Sequence, residues 1–551
     1  MNNIRLVLFP VLFLLFSPLS SAQFFDVQTE FTRYDTLRGS ITPERSWWDL
    51  TYYHLNVSVD IEDSTVNGTN LVQYRVEQLS TSTLQIDLQE PMQITSVFQN
   101  GIELSFQRDS NTYFIESNTV REIGDIEEII IQFDGKPKKA LNAPWDGGFV
   151  WTRDSNGTPF IANANQGIGA SIWWPNKDHA YDEPDSMLIS VTVPEELTNV
   201  SNGRLREVTQ NNDGTKTWHW FVSNPINNYG VNVNIGDYVN FKEILNGEAG
   251  ELDANYWVLR ENYEKAIEQF ADVPRTIEAF EYWFGPYPFY EDSYKLVEAP
   301  YLGMEHQSSV TYGNGYENGY KGTDLSGSGW GLKFDFIIVH ESGHEWFANN
   351  ITYKDVADMW IHESFTNYSE YLFLEYHFGE IAADEYARGL RTRIRNDRPI
   401  IGIYNVHYEG SSDMYYKGGN MLHTLRQVFN NDSLWRATLR GLNKDFRHQT
   451  VTSAQVEGYI SEAYDEDLTS IFDQYLRDVR IPVLEYAFRN GYLIYRWRNV
   501  VLEFNMPVKV YLDGVEYWIK PTTNWQGFES FAKTLKVHPD FYISSHNLLG
   551  D

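Results

Sequence analysis

The sequence predicts a multidomain α+β protein, in which an N-terminal antiparallel β domain precedes a mostly helical domain and a small C-terminal β-sandwich. The chain has 551 residues, 42% hydrophobic and 15% aromatic, which is more than one hydrophobic core holds. Apolar and polar residues alternate in the early part, follow helical spacing in the middle and alternate again near the end. We therefore expect divisions into residues 23–243, 244–478 and 479–551.

Residues 1–22 have the pattern of a secretory signal peptide. Arg5 gives a positive start, the apolar run from Leu6 to Phe16 is too short to span a bilayer, and Ser20 and Ala22 suit a cleavage site. We expect Gln23 to begin an exported mature protein, periplasmic or secreted. The alternative is a buried N-terminal strand or a retained anchor.

Composition restricts the partners of the mature chain. The net charge of -33 argues against nucleic acid and against an anionic membrane surface, because both would repel the protein. The chain has no cysteine, so disulfides and thiolate metal ligands are excluded. Since no later segment approaches 18 consecutive apolar residues, we expect no stable membrane insertion after signal cleavage.

Residues 23–243 show the period-two pattern of half-buried strands. In "YHLNVSVDI" (53–61), every second residue from Leu55 to Ile61 is apolar and the residues between them are polar. Gly, Asn and Asp turns separate it from similar runs at 71–76, 126–133, 187–194 and 216–222.

A mostly helical domain is predicted to begin near Asn262, where apolar residues recur at helical spacing up to Gly285 and Pro286. The Gly- and Tyr-rich stretch 311–331 has no apolar periodicity, and we interpret it as a long loop either beside a site or on the plain surface. After about residue 479, alternation returns with turns at Asn490-Gly491 and Asp513-Gly514, as in a small β-sandwich.

The stretch "FDFIIVHESGHEWFANN" (334–350) has the pattern of a zinc-binding helix. His340 and His344, at i and i+4, project from one face and can reach one ion, while Glu341 is turned toward the metal's water. A hydrolytic zinc keeps three protein ligands, and Glu363 in the next helical segment (359–378) is the candidate third ligand. Gly343, unfavourable within a helix, is expected to permit close approach of another element.

The spacing of H-E-x-x-H and the later Glu resembles the zinc signature of peptidase family M1, the aminopeptidase N and leukotriene hydrolase group. Three further stretches resemble the exopeptidase motif, the Y-x-K-G segment and the substrate-binding Gln stretch of that family: "LGMEHQSS" (302–309), "MYYKGGNMLHTLR" (414–426) and "NQGIGASIWWP" (165–175). The resemblance covers about 48–478 and implies a thermolysin-like catalytic domain. The long C-terminal helical domain of many members has no counterpart in the pattern.

The resemblance implies a zinc aminopeptidase with one Zn²⁺ per chain, acting on peptides with a free N-terminus. It assigns His340, His344 and Glu363 to the metal and Glu341 to general-base catalysis. Tyr415 would donate a hydrogen bond to the oxyanion, with the adjacent Tyr416 as a competitor.

Glu305 would pair with the substrate's α-ammonium group, an interaction that an N-blocked peptide cannot make. Gln166 would assist as a neutral acceptor, and Met304 and Gly303 complete the predicted substrate-binding residues. This sequence departs from the family motif at Leu302, Gly303 and His306.

Groups beside the metal ligands should orient the zinc-binding histidines. Glu370, on the helix face of Glu363, is the first candidate and Asn367 the second. His362 replaces an Asn common in the family, and no role is assigned to it.

Two alternatives stay open at this stage: a zinc endopeptidase of related fold and a non-catalytic peptide-binding protein. The joint presence of three metal ligands and Glu341 opposes the second. Glu305 discriminates between the aminopeptidase and the endopeptidase: if it binds the amine, Glu305→Ala should selectively weaken hydrolysis of free-amine substrates, whereas an equal effect on N-blocked substrates would count against the aminopeptidase.

Overall fold

The computed structural model describes residues 30–118 and 120–550. The predicted signal peptide at 1–22 lies outside the described residues. Within the described ranges, no helix combines the length and the apolarity that a membrane span requires. The fold class is confirmed: a β-rich N-terminal block, a mostly helical middle block and two small C-terminal sheets follow one another along the chain.

The N-terminal block is built on strands. Four of the five predicted runs lie within one, and the first extends a single residue, Ile61, beyond its strand. Its strands are β1 (Trp48–Asp60), β2 (Thr65–Val76), β3 (Thr83–Asp87), β4 (Gln93–Gln99), β5 (Ile102–Glu103), β6 (Phe106–Asp109), β7 (Thr112–Glu116), β8 (Ile126–Gly135), β9 (Gly148–Arg153), β10 (Pro159–Ala164), β11 (Ser186–Pro194), β12 (Thr198–Val200), β13 (Arg204–Gln210), β14 (Thr215–Val222) and β15 (Asn234–Gly236). Two short helices, α1 (Arg33–Gly39) and α2 (Pro43–Ser46), precede them.

Eight strands form the main sheet of this block, in the order β13-β14-β11-β1-β2-β8-β4-β5. Neighbouring strands are antiparallel except β1 and β11, which pair in parallel from Tyr52 opposite Ser186 onward. The chain leaves the sheet after β8 and forms β9 and β10 before it returns as β11, which allows this parallel pair. Buried aromatic side chains such as Trp47, Trp48 and Trp220 fill the core of the block.

The middle block combines a five-stranded sheet with helices. Its sheet has the order β16-β17-β18-β20-β19, so that β19 is an edge strand. The strands are β16 (Tyr238–Gly247), β17 (Gly250–Leu259), β18 (Tyr294–Glu298), β19 (Gly303–Met304) and β20 (Val310–Tyr312), with the short pair β21 (Ile351–Tyr353) and β22 (Gln449–Val451) elsewhere. The predicted division between residues 243 and 244 falls inside β16, which pairs with β17 along its whole length.

The helices of this block are α3 (Tyr263–Gln269), α4 (Asp272–Phe284), α5 (Phe336–Gly343), α6 (Trp360–Phe378), α7 (Glu380–Leu390), α8 (Tyr416–Phe429), α9 (Asp432–Asp445), α10 (Ser453–Tyr464) and α11 (Thr469–Phe472). Helix α4 ends at Gly285, whose positive φ of 98° favours glycine, and Pro286 follows it. The periodic pattern correctly predicts this stop.

The C-terminal block consists of a four-stranded sheet, β27-β24-β23-β29, and a three-stranded sheet, β26-β25-β28. The strands are β23 (Val483–Arg489), β24 (Tyr492–Arg498), β25 (Val508–Leu512), β26 (Val515–Ile519), β27 (Gln526–Glu529), β28 (Leu535–Val537) and β29 (Ser544–Asn547). Both predicted hairpin turns have positive φ at their two central residues, 50° and 80° at Asn490-Gly491 and 48° and 85° at Asp513-Gly514. This is the conformation of tight hairpin turns with Asn-Gly and Asp-Gly.

Apolar packing continues from the middle block into the C-terminal block without a break. Polar contacts reinforce this junction: the Arg391 guanidinium donates to the carbonyl oxygens of Pro539 and Asp540, at 2.7 and 3.0 Å. Arg388 donates to the Asp540 carboxylate at 2.6 Å. The two blocks are therefore held together by both a shared core and polar contacts at its edge.

His423 is a titratable group at this junction. Its Nε2 atom lies 3.4 Å from Asp384 and 3.7 Å from Asp540. Burial lowers the pKa of His423, but the two carboxylates outweigh burial and the net pKa is raised. A raised folded-state pKa stabilises the fold fully below the unfolded pKa of about 6.5, and this stabilisation is lost as pH rises through the folded pKa.

We therefore expect His423→Gln to flatten the fall in melting temperature as pH rises above about 6.5, because the variant has lost the group whose proton is released. Thermal unfolding across this range measures the effect, and His546→Gln, which changes an exposed histidine, is the matched control. Identical slopes for His423→Gln and the unmodified chain would contradict the assignment.

Candidate active site

Helix α5 carries His340 and Glu341, and its start is fixed by Asp335. The Asp335 carboxylate accepts hydrogen bonds from the N–H groups of Ile337 and Ile338, at 3.0 and 3.3 Å, as an N-cap. His344 follows the last helical residue with φ -64° and ψ -19°, close to helical values. The i, i+4 relation of the two histidines is thus preserved, although α5 ends at Gly343, just before the second histidine.

The backbone leaves helical geometry shortly after His344, and this turn serves the site. Phe347 and Ala348 have non-helical dihedral angles. The Phe347 carbonyl oxygen consequently lies 3.0 Å from His344 Nδ1 and accepts a hydrogen bond from it. The sequence prediction of one helix through residue 350 missed this break.

Helix α6 brings Glu363 to the two histidines, and Gly343 allows the close packing that this requires. A Cβ atom at Gly343 would lie 2.5 Å from Ser369 Oγ on α6. The expectation that Gly343 permits close approach of another element is confirmed.

Both histidines direct Nε2 toward one carboxylate oxygen. His340 Nδ1 lies 2.8 Å from Glu370 Oε1 and donates to it, and His344 Nδ1 donates to a carbonyl oxygen. The Nε2 atoms of His340 and His344 lie 3.9 and 3.5 Å from Glu363 Oε2. In the neutral tautomer that carries its proton on Nδ1, two nitrogen lone pairs and one carboxylate oxygen converge on one point.

The residues present fit a bound zinc ion. One ligand atom each from His340, His344 and Glu363 lies within 4.8 Å of the others. Glu363 Oε2 is buried without a hydrogen-bond partner, an orphaned acceptor that a cation would satisfy. Two imidazoles and a carboxylate form one of the ligand sets typical of catalytic zinc.

The electrostatics of the cluster also favour a cation. Glu305, Glu341, Glu363 and Glu370 are all buried around the two histidines. Although burial lowers the pKa of His344, the charges of Glu363 and Glu305 outweigh burial and raise this pKa to about 10. An excess of buried negative charge is costly unless it is compensated by a bound cation.

Glu370 and Asn367, predicted to orient the metal ligands, lie beside His340. Glu370 accepts from His340 and also from Asn367 Nδ2 at 3.1 Å and Tyr386 OH at 2.8 Å. Thr366, whose Oγ1 lies 3.0 Å from His344 Nδ1, is a further partner of the metal-binding histidines that was not predicted. Its place one turn after Glu363, on the helix face that leads to Glu370, is the signal that could have found it.

Glu305 follows strand β19 and faces the metal-binding cluster. Gln166 Nε2 donates to Glu305 Oε1 at 2.6 Å and to Glu363 Oε1 at 3.0 Å, so one side-chain amide joins the two carboxylates. The backbone of Glu305 is held by Asn349, whose Nδ2 donates to its carbonyl oxygen at 2.9 Å. Burial raises the pKa of Glu305 to about 7, and His344 opposes the shift.

The two residues before Glu305 contribute to the cavity in different ways. Gly303 leaves room for Glu341, because a Cβ at Gly303 would lie 2.9 Å from Glu341 Oε1. Met304 is only 3% exposed and packs with Tyr229 and Tyr301. Both residues line the cavity, but the Met304 side chain is committed mainly to packing.

Tyr415 lies at the start of helix α8, with its ring centroid 6.1 Å from that of His340. Its hydroxyl interacts with Glu363. Burial is the largest cause that raises the pKa of Tyr415 well above its usual value, so the phenol stays protonated and can donate. Gly418 and Gly419 let α8 approach α6, since a Cβ at either would overlap Ser364 or Asn367.

Two histidines near the motifs, His362 and His306, are buried and make contacts within the protein interior. His362 Nε2 accepts the Tyr353 N–H at 2.9 Å, and its ring stacks on Tyr353 at a centroid distance of 4.2 Å. His306 is buried beside Thr311, and burial lowers its pKa to about 3. Both imidazoles are therefore neutral parts of the protein interior.

Buried asparagines of the N-terminal block hold the stretch 302–309 in place. Asn202 Nδ2 donates to the Gln307 carbonyl oxygen at 2.8 Å, and Asn232 Nδ2 donates to that of Ser309 at 3.1 Å. Isolated asparagines in a turn-rich sequence have no periodic pattern, which is why the sequence did not indicate this role.

These groups open into a cavity of about 1150 Å³. The predicted loop 311–331 borders it through Tyr320 and Leu325, although its first residues belong to strand β20. The lining also includes three arginines that the sequence did not indicate: Arg393, Arg395 and Arg398.

Comparisons with known proteins agree with this architecture. The profile described as Peptidase M1 N-terminal domain matches residues 50–229, and the profile described as Peptidase family M1 domain matches residues 269–475. Among curated proteins, the chain is 23% identical to "Probable aminopeptidase 1" of Sulfurisphaera tokodaii, over 71% of this chain and 49% of that protein. It is 21% identical to "Leukotriene A-4 hydrolase" of Xenopus laevis, over 79% and 71% of the two chains.

The fold is also found among solved structures. An M1 zinc metallopeptidase from Deinococcus radiodurans superposes with a TM-score of 0.65 at 19% identity, covering 78% of this chain and 95% of that chain. A substitution variant of that enzyme, solved with a Tyr-Ser-Ala substrate, also gives 0.65, at 17% identity, over 80% of this chain and 97% of that chain. The chain spans about half to three fifths of the first two curated relatives.

Proposed function

Because this chain belongs to peptidase family M1, we propose that it is a zinc-dependent aminopeptidase, which hydrolyses the N-terminal peptide bond of peptides. Family membership implies one catalytic zinc ion, and the residues that would hold it are His340, His344 and Glu363. When bound, zinc polarises the scissile carbonyl and lowers the pKa of water.

One observation carries the proposal: Glu305, Glu341 and His344 each present an atom within 4.8 Å of the others. The carboxylate that would pair with the α-ammonium group is therefore adjacent to the proposed general base. So short a separation leaves room for only one residue between the substrate's amine and the bond that is cut. This spacing suits an exopeptidase and disfavours internal cleavage.

The side chains around the metal-binding residues have separate roles in the reaction. Glu341 takes a proton from the attacking water and passes it to the leaving amine. Tyr415 donates its phenolic proton in a hydrogen bond to the oxygen on which negative charge develops. Glu305 accepts from the α-ammonium group and Gln166, whose amide nitrogen is engaged by two carboxylates, offers its oxygen as a second acceptor.

The experiment that tests the proposal is the hydrolysis of aminoacyl anilides, each offered with a free and with an N-acetylated amine. We expect only the free amines to be cleaved, and chelation of the metal should abolish cleavage. Glu305→Gln keeps the shape of the side chain but removes its charge. It should lower kcat/KM for free amines by roughly 10- to 100-fold, the range of one charge-assisted hydrogen bond.

Glu298→Gln, in strand β18 of the same sheet and away from the cavity, is the control for loss of a buried carboxylate. Equal cleavage of free and acetylated substrates would instead indicate an endopeptidase. Absence of any cleavage with one zinc per chain would indicate a peptide-binding protein.

We also propose that the protein is exported, to the periplasm or the medium. This proposal is supported by the pattern of residues 1–22 in the sequence alone.

A further inference from the structure

The segment 391–398, "RTRIRNDR", places four arginines within eight residues of a chain whose net charge is -33. Arg391 is engaged at the junction with the C-terminal block. The other three, Arg393, Arg395 and Arg398, line the catalytic cavity. They are hereafter called the arginine wall.

The guanidinium groups of the arginine wall make no salt bridge within the part of the chain that the structure describes. Arg393 Nε donates to the Leu325 carbonyl oxygen at 2.6 Å, and Arg398 donates to that of Gly410 at 3.0 Å. Arg398 Nε is buried without a hydrogen-bond partner. Among the residues that the structure describes, the Arg395 side chain forms neither a hydrogen bond nor a salt bridge, and its backbone N–H is engaged by Asp413. Donors of this kind in a cavity are available to an anion.

The backbone ties the arginine wall to the catalytic groups. The N–H groups of Arg395 and Asn396 donate to the Asp413 carboxylate at 2.9 and 2.6 Å. Asp413 lies two residues before Tyr415 in the chain. The backbone of Arg395 is therefore hydrogen-bonded to a residue close to the proposed oxyanion donor. The charges of Arg393 and Arg395 also act on Tyr416, the next residue.

The cavity lining therefore carries groups of both signs of charge. Glu305, Glu341 and Glu363 surround the position of the substrate's α-ammonium group and the metal, whereas the arginine wall supplies positive charge elsewhere in the same cavity. Two acidic lining residues lie near the arginine wall: Asp413, which accepts from the N–H groups of Arg395 and Asn396, and Glu409. Burial and the charge of Glu363 raise the pKa of Glu409, and Arg398 opposes the shift. A peptide with a positive N-terminus and a carboxylate further along would match both groups of charges.

We propose that the arginine wall is a carboxylate-binding subsite that recognises the part of the substrate on the C-terminal side of the cleaved bond. The inference rests on the proposed function and specifies its substrate class. The carboxylate comes either from the C-terminus of a short peptide or from an acidic side chain near the cleaved bond, and both would accept the same guanidinium donors.

The test compares three substrates: Ala-Ala-Ala, its C-terminal amide, and Ala-Ala-Glu with an amidated C-terminus. The unmodified chain should cleave the free acid with a kcat/KM about 10-fold above that of the amide, mainly through a lower KM, as one charge-assisted contact predicts. Recovery of the rate with the glutamyl amide assigns the side-chain source, and no recovery assigns the terminal carboxylate. High salt should reduce the preference, because it screens the exposed arginines.

Arg395→Gln is the main variant, because among the described residues the Arg395 side chain forms no hydrogen bond or salt bridge whose loss could disturb the fold. The acid-to-amide ratio should fall toward one in this variant and further in Arg395→Gln with Arg398→Lys. Arg489→Gln, which removes an exposed arginine from the C-terminal block, should keep the ratio of the unmodified chain. The ratio within each variant is the readout, so a uniform loss of activity does not affect it.

An acid-to-amide ratio near one in the unmodified chain, or a ratio unchanged in Arg395→Gln, would overturn the proposal. Alanine p-nitroanilide, which has no carboxylate, distinguishes failure of the arginine-wall proposal from failure of the proposed aminopeptidase function. If the unmodified chain cleaves this anilide but shows no acid preference, only the arginine wall is misassigned. If the anilide is not cleaved, the proposed function itself fails.

Discussion

Glu341→Gln is expected to lower kcat by about 10²- to 10⁴-fold, the usual contribution of a positioned general base. Glutamine fills the same space beside Gly303 and next to the histidines, but its amide cannot take a proton. Because Glu341 is not among the three converging ligands, zinc content should stay at one ion per chain. Steady-state kinetics on an alanyl anilide, with metal analysis of the same preparation, measures both expectations.

Glu363→Gln provides the contrast, because it removes a metal-ligand charge instead of the base. We expect this variant to lose zinc, whereas Glu341→Gln keeps it. Activity that survives in Glu341→Gln with zinc bound would mean that the base is misassigned.

Tyr415→Phe is expected to lower kcat by about 10²- to 10³-fold, the effect of removing one oxyanion donor. The hydroxyl is the only group that the substitution removes, and the ring can keep its packing beside His340. Since the donated bond forms only as charge develops on the oxygen, KM should change little and the loss should fall on kcat.

Tyr416→Phe is the matched comparison, because Tyr416 is adjacent and also lines the cavity. Its effect on kcat should be much smaller. A large loss in Tyr416→Phe with an almost unchanged Tyr415→Phe would exchange the two assignments.

Local patterns in the sequence predicted the elements whose residues are close together in the chain. The five period-two runs form strands, the helix before Gly285 ends where it should, and the two hairpin turns have the required dihedral angles. The spacing of His340 and His344 places both on one helix face for the same reason: helical geometry relates residues four apart.

Local patterns failed where packing overrides regular geometry. The helix of the zinc motif ends at Gly343, and the irregular turn that follows gives His344 its hydrogen-bond acceptor. The parallel pairing of β1 with β11 also escaped prediction, because it joins strands far apart in the chain.

The sequence by itself determined the fold class, the order of the three blocks and a candidate ligand set encoded by short spacings. Only the tertiary structure decided how the substrate-binding residues meet the metal ligands. Gln166 reaches Glu305 and Glu363 across 139 and 197 residues of chain, and the arginine wall reaches the same cavity from a segment with no recognisable motif. Such contacts depend on how whole blocks pack against one another, and a periodic pattern contains information only about near neighbours along the chain.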